Sequence, residues 1–320
     1  MQLRILMFAM SFLQGRLLMP GLLCLLVASI AWVALAEPER GPPIIDMHLR
    51  TAPLPGVAEV AARPCKRTEP ACVSPDALAA VRKRTQAQLR RYNVIGVASV
   101  QDDGALAPAT GTHLPGHLSL DPLRIDAATE AMVLSLRGNG QLTLLGVRRP
   151  RAEVALDDAR MEPLWRLATR ADLPVGLHLG RQDGTKANSP STSAELVALQ
   201  RVLARHPRLR VDLVHGAEPV ADELIDVLDA HPQVYLDVGQ LVSGQDRPAF
   251  YRDLQAIVDA GHGDRVMFGS GSPAWPASIG ASIETVRRAP FLDDGQKRDI
   301  FYNNAARFLR LGRPPAPQAI

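Results

Sequence analysis

From residue 44 onward the chain alternates short apolar runs with longer segments whose apolar residues recur at helical spacing. The apolar runs are Ile44 to Arg50, Val94 to Val100, His117 to Leu120, Leu142 to Val147, Pro174 to His178, Arg210 to His215, Val234 to Val238 and Arg265 to Gly269. Each is the length of a buried strand, and most are bounded by Gly, Pro, Asn or Asp. Between them the pattern predicts helices over 74–92, 126–137, 163–171, 193–205, 219–230 and 249–260. Ser74-Pro75-Asp76 opens the first of these with proline just inside the cap, and Gly138-Asn139-Gly140 stops the second. Helices over 278–288 and 294–311 close the chain. Strands separated by helices form parallel βαβ units, and eight such units predict an α/β fold of the (β/α)8 TIM-barrel type over residues 44–311.

The N-terminus carries a different pattern. Arg4 and Arg16 precede an apolar run from Leu17 to Ala36 that ends Ala34-Leu35-Ala36. A positive start, an apolar centre and a small-x-small exit predict a signal peptide over residues 1–36, and hence an exported, periplasmic or secreted protein. The alternative is an uncleaved membrane anchor over 17–36, a stretch long enough to span a bilayer. Cys24 lacks a small residue just before it, which argues against a lipoprotein. Residues 37–43, rich in proline, form a linker, and residues 312–320 a C-terminal tail.

Composition narrows the function classes. A 47% hydrophobic and 22% charged chain is globular. The net charge of +3 falls to +1 without Arg4 and Arg16, and the basic residues are scattered. That excludes a nucleic-acid stripe or a polybasic membrane patch. Aromatic residues at 4% leave few stacking platforms for bases or sugars. The expected partner is a small-molecule substrate or ligand. Cys65 and Cys72 are the two cysteines outside the leader. In an oxidising compartment a disulfide is their expected state, with two free thiols as the alternative.

Three of the predicted strands deliver histidine near their C-terminal end: His48, His178 and His215. In a barrel that is the end where chemistry sits, and imidazoles aimed at one point can serve as metal ligands or proton carriers. Arg50 lies two residues beyond His48, so on a regular strand the two share a face. Asp237 ends the seventh strand, and Ser270 and Ser272 follow the eighth. His113, His117, His206, His231 and His262 read as loop or helix-end residues.

Taken together, Ile45-Asp46-Met47-His48-Leu49-Arg50, Val175-Gly176-Leu177-His178, Leu213-Val214-His215-Gly216, Tyr235-Leu236-Asp237, Phe268-Gly269-Ser270-Gly271-Ser272-Pro273 and Phe301-Tyr302-Asn303-Asn304 occur in the order and spacing of a known family. The chain resembles the amidohydrolase superfamily, and within it the amidohydrolase-2 group of metal-dependent hydrolases and decarboxylases. The resemblance implies that His48 is one of a metal-binding histidine pair and that His178 is a further ligand. It implies that His215 polarises substrate, or binds metal in two-metal members. It also implies an aspartate after the eighth strand that binds metal and moves a proton.

The chain departs from that pattern twice. The second histidine of the pair is Arg50, and the aspartate is Gly271. Arginine has no lone pair to donate and brings a fixed positive charge. Asp46 is set aside as a substitute ligand. The expected cofactor is thus none, or a single weakly bound zinc-like metal on His48 and His178. The reading that follows is a hydrolase of a small carboxylated lactone, ester or amide. In it Arg50, His48 and Ser270 bind substrate, and His178, His215 and Asp237 do the chemistry. The alternative is a catalytically inactive barrel that binds a ligand or partner. A serine nucleophile at Ser270 or Ser272 is disfavoured, because no G-x-S-x-G elbow surrounds either.

Overall fold

A computed structural model describes residues 41–47, 49, 75–100, 114–147, 154–179, 192–214, 222–239, 247–270 and 276–311. Eight parallel strands form one sheet in sequence order. They are β1 (Ile44–Asp46), β2 (Val94–Val100), β3 (Leu114–Leu120), β4 (Leu142–Val147), β5 (Val175–His178), β6 (Val211–Val214), β7 (Val234–Asp237) and β8 (Val266–Met267). The backbone N–H of Met47 donates to the carbonyl of Phe268 at 3.0 Å, which carries the ladder from the end of β8 back to β1. A parallel sheet joined at both edges is a barrel. The helices are α1 (Pro75–Arg91), α2 (Ala127–Gly138), α3 (Glu162–Arg170), α4 (Thr192–Arg205), α5 (Asp222–Ala230), α6 (Arg247–Asp259) and α7 (Pro276–Arg287). The chain closes with α8 (Asp294–Arg298), a π-helical turn (Asp299–Asn303) and α9 (Asn304–Phe308).

The strands follow from buried β-branched and leucine-rich runs, and their alternation sorts two cores. Leu118, Leu120, Leu145, Val175, Leu177, Val211, Leu213, Val234 and Leu236 pack with helix residues such as Leu164, Trp165, Leu199, Leu224 and Phe250. The alternate residues Ile45, Ile95, Leu144, Tyr235 and Met267 pack with Tyr302 and Phe308. The second group is the barrel interior, plugged at its N-terminal end by α9. Parallel strands buried on both faces are expected to carry apolar residues on each.

Three local expectations change. The third strand starts at Leu114 rather than His117, because its pairing extends to β2 through Leu114 and to β4 through Gly116. The eighth strand shortens to two residues. The closing helix is interrupted by the π-helical turn, whose Ile300 carbonyl accepts from the Phe268 N–H at 3.0 Å. The segments 1–36, 37–40 and 312–320 lie outside the described residues, as do Cys65 and Cys72. Among the described residues no helix is long and apolar enough to cross a membrane.

Asn304, fully buried, ties this closing segment to the barrel. Its Nδ2 donates to the carbonyls of Gly263 at 2.9 Å and Val266 at 2.7 Å, and its Oδ1 accepts from Arg307 at 2.6 Å. Truncating it strands two backbone carbonyls at the start of β8, and unpaired buried polar groups cost about 1–3 kcal/mol each. Asn304→Ala should therefore lose about 2–4 kcal/mol of stability, read as a lower urea midpoint at unchanged m-value. A loss within experimental error would show that the tie is not structural.

Candidate active site

Strand alternation decides which polar residues enter the barrel. Leu144 belongs to the interior core, and its registered partner on β3 is His117. The inner face of β3 therefore carries His117 and Ser119, and that of β4 carries Leu144 and Gly146. Tyr235 on β7 is likewise interior, and its registered partner on β6 is Asp212. Asp212 in turn pairs with Gly176 on β5, and Gly176 with Gly146 on β4. One row across the inner wall thus reads Ser119, Gly146, Gly176, Asp212, Tyr235. Two residues further toward the C-terminal mouth lie His178, its registered partner Val214, and Asp237, which pairs with Met267.

The two interior glycines have a use. A Cβ on Gly146 would sit 2.1 Å from Nε2 of His117 and 3.0 Å from Oγ of Ser119. The imidazole of His117 lies across the bare backbone of Gly146, and a methyl group there would displace it. Ser119 Oγ is 3.4 Å from the same Nε2. His117 is thus not a loop residue, as its sequence context suggested, but a half-buried side chain inside the barrel. Of the other histidines expected at loops or helix ends, His206, His231 and His262 sit there, while His113 lies outside the described residues. His206 pairs with Glu162 at 3.2 Å, and His262 with Asp229 at 3.0 Å.

Asp237 is fully buried at the end of β7, and its Oδ1 accepts the backbone N–H of Gly239 at 2.8 Å. His178 ends β5, half-buried. Two strand spacings separate them, about 10 Å at the backbone, which leaves room for a small substrate between the side chains. Ser270 is fully buried, and its N–H donates to Oδ1 of Asp46 at 3.0 Å. That bond joins the ends of β8 and β1, so among the described contacts Ser270 and Asp46 serve closure of the barrel. His48, Arg50, His215 and Gly271 lie outside the described residues.

Asp212 is the residue the sequence reading passed over. It is fully buried, and neither carboxyl oxygen has a hydrogen-bond partner among the described residues. Burial first, then the charge of Asp237, push its carboxyl well above the usual carboxylate range, and the Asp237 backbone N–H opposes this only in part. An aspartate inside an apolar strand, Val211-Asp212-Leu213, was the available signal. For His117 the signal was the polar-apolar alternation His117-Leu118-Ser119-Leu120 in a barrel whose outer strand faces are covered by helices.

A parallel barrel with acids and imidazoles on its inner wall near the strand C-termini defines a class of enzyme-like barrels. The amidohydrolase family model matches residues 45–311, and the chain belongs to that family, in its amidohydrolase-2 group. Solved structures agree on the fold. A 5-carboxyvanillate decarboxylase from Sphingomonas paucimobilis is 17% identical at a TM-score of 0.58, covering 84% of this chain and 99% of its own. An uncharacterized TIM-barrel protein from Bordetella bronchiseptica is 19% identical at 0.57, over 84% and 99%. A probable 2-pyrone-4,6-dicarboxylic acid hydrolase from Acinetobacter baumannii, solved with citric acid bound, is 14% identical at 0.55, over 83% and 99%. No curated protein matches the sequence.

Members of this family are commonly metal-dependent. Of the residues that the resemblance names as ligands, His178 is among the described residues and His48 is not. Among the described residues no three His, Cys, Asp or Glu side chains converge as a ligand set. At two positions where the resemblance calls for ligands, the chain has Arg50 and Gly271, neither of which offers a side-chain lone pair.

The raised Asp212 carboxyl makes stability depend on pH. In the unfolded chain this aspartate titrates near 3.8, and in the folded chain higher. Between those values the native state holds one proton more, so stability falls as pH rises, by up to about 1.4 kcal/mol per unit. Asp212→Asn removes that titration. From pH 5 to pH 8 its unfolding free energy should decline less steeply than that of the unmodified protein. The pairs His206–Glu162 and His262–Asp229 are common to both proteins and cancel in the comparison. Equal slopes would show that Asp212 is ionised in the fold.

Proposed function

We propose that the chain is an exported, amidohydrolase-type hydrolase acting on a small carboxylated lactone, ester or amide. It works without metal, or with one weakly held ion. The observation that carries this reading is Asp237: a buried carboxylate at the mouth of β7, gripped through one oxygen by Gly239 and set two strands along the rim from His178. A positioned carboxylate opposite an imidazole is the minimum equipment for general acid–base hydrolysis. Arg50 binds the substrate carboxylate as a bidentate partner, which also explains a guanidinium where a metal ligand is expected. His178 and His215 polarise the scissile carbonyl. Asp237 takes a proton from the attacking water as its oxygen bonds to the carbonyl carbon. When the carbon–oxygen or carbon–nitrogen bond breaks, that proton passes to the leaving atom. The products are a free acid and an alcohol, phenol or amine. By its name, the pyrone dicarboxylic acid hydrolase among the structural relatives acts on a compound of this class.

The test is a panel of carboxylated aryl lactones, esters and amides, assayed with chelator and with added zinc or manganese. Turnover is expected in chelator. Asp237→Asn should lower kcat about 100-fold or more at similar KM, and Arg50→Ala should raise KM for carboxylated substrates while sparing their uncharged analogues. Turnover that requires one equivalent of zinc or manganese would overturn the metal-free chemistry. Tight binding of panel members without turnover would make the barrel a ligand-binding protein.

A further inference from the structure

The active-site reading leaves one buried group unused. Asp212 sits one row below Asp237 on the neighbouring strand, offset by two residues from direct register, since its partner is Tyr235. That offset puts the two backbones about 8 Å apart, with both side chains on the inner wall. Both residues are fully buried. The titratable groups on the inner faces of the adjoining strands are His178 on β5, and Tyr235 and Asp237 on β7, with His117 reaching in from β3. Among the described residues none forms an ion pair with Asp212. An ionised carboxylate in such a place has little compensation beyond the Asp237 backbone N–H, whereas a neutral carboxylic acid carries a donor of its own. A carboxylate oxygen accepts more than one hydrogen bond, so Asp237 can receive that donor while keeping its bond to Gly239.

We propose that Asp212 is a positioning residue, a neutral carboxylic acid that donates a hydrogen bond to Asp237 and so fixes the orientation of the general base. The proposal rests on the role given to Asp237 above. Gly239 N–H holds one oxygen of Asp237, and the Asp212 O–H holds the other. Asp212 keeps its proton throughout the cycle, since the reacting proton moves between water, Asp237 and the leaving atom.

Two measurements test this. The first needs no substrate: infrared difference spectra of the full chain at pH 7, unmodified minus Asp212→Asn, read the carbonyl stretch of a neutral carboxylic acid. A band present in the unmodified protein and absent from the variant is expected. Its absence from the unmodified protein overturns the proposal, whatever the activity. Asp212→Ser removes the same band and serves if the Asn variant does not fold. The second is the kinetic series on a panel substrate. Asp212→Asn keeps an N–H donor and should hold kcat within about threefold, with the acid limb of the pH profile shifted. Asp212→Val should lose about 100-fold in kcat with KM little changed. Equal losses in Asn and Val variants would overturn the donor role. A silent panel with the infrared band intact would count against the hydrolase reading while leaving the protonated acid in place.

Discussion

Each strand of a closed parallel barrel is buried on both faces, so a polar side chain on its inner face has no bulk water to solvate it. On the inner wall Ile45, Ile95, Leu144, Tyr235 and Met267 pack with Tyr302 and Phe308. Level with three of them, in registered pairs, stand polar residues: His117 beside Leu144, Asp212 beside Tyr235 and Asp237 beside Met267, with Ser119 and His178 on the same wall. A residue that costs several kcal/mol to bury unpaired is not neutral filler, and these sit on four strands at the end where such barrels hold substrates. Two interior glycines, Gly146 and Gly176, remove side chains from the same wall, and Gly146 admits the His117 ring.

The opposite end of the barrel solves its polar problem differently. Arg210 enters β6 almost fully buried and donates to the carbonyls of Phe308 and, at 2.8 Å, Asp172. Arg265 enters β8 and donates to the carbonyls of Leu228 and His231. In both cases a guanidinium satisfies backbone acceptors at helix or strand ends, where orphan carbonyls would otherwise be buried. Asp172, held at a positive φ of 49°, is gripped by Arg210 and Arg310 together. At the N-terminal end these arginines spend their bonds on backbone carbonyls. At the C-terminal end acids and imidazoles line the inner wall.

The fold was legible because its signals are redundant. Eight apolar runs, each followed by a helical segment, admit few arrangements, and an error in one strand end does not disturb the rest. The site was legible only in part, because its signals are single residues. His178 and Asp237 stood out as polar residues ending apolar runs, and the structure puts them on one rim. His117 fell at the edge of the expected third strand and among the loop-like histidines, because the strand begins with Leu114-Pro115-Gly116, which carries turn chemistry rather than strand chemistry. Asp212 escaped because a lone aspartate within a strand normally marks a solvent-facing position. Only the register with Tyr235 shows that it faces inward.

Under the proposed reading, these inward acids stand in for the family's metal chemistry. A dication at the barrel mouth supplies positive charge that polarises a carbonyl and lowers the pKa of water. In this chain a fixed positive charge is built into the sequence as Arg50, close in sequence to His48, while the aspartate that would balance a metal has become Gly271. Arg50 can hold a substrate carboxylate but cannot activate water. The proposal gives that task to a carboxylate, and a carboxylate inside a barrel is a strong base only if it is kept ionised and oriented. Asp237 has a backbone N–H on one oxygen. A second anion beside it would raise the cost of its charge, whereas a neutral carboxyl beside it lowers that cost. The burial of Asp212 therefore favours the protonation state that lets Asp237 act.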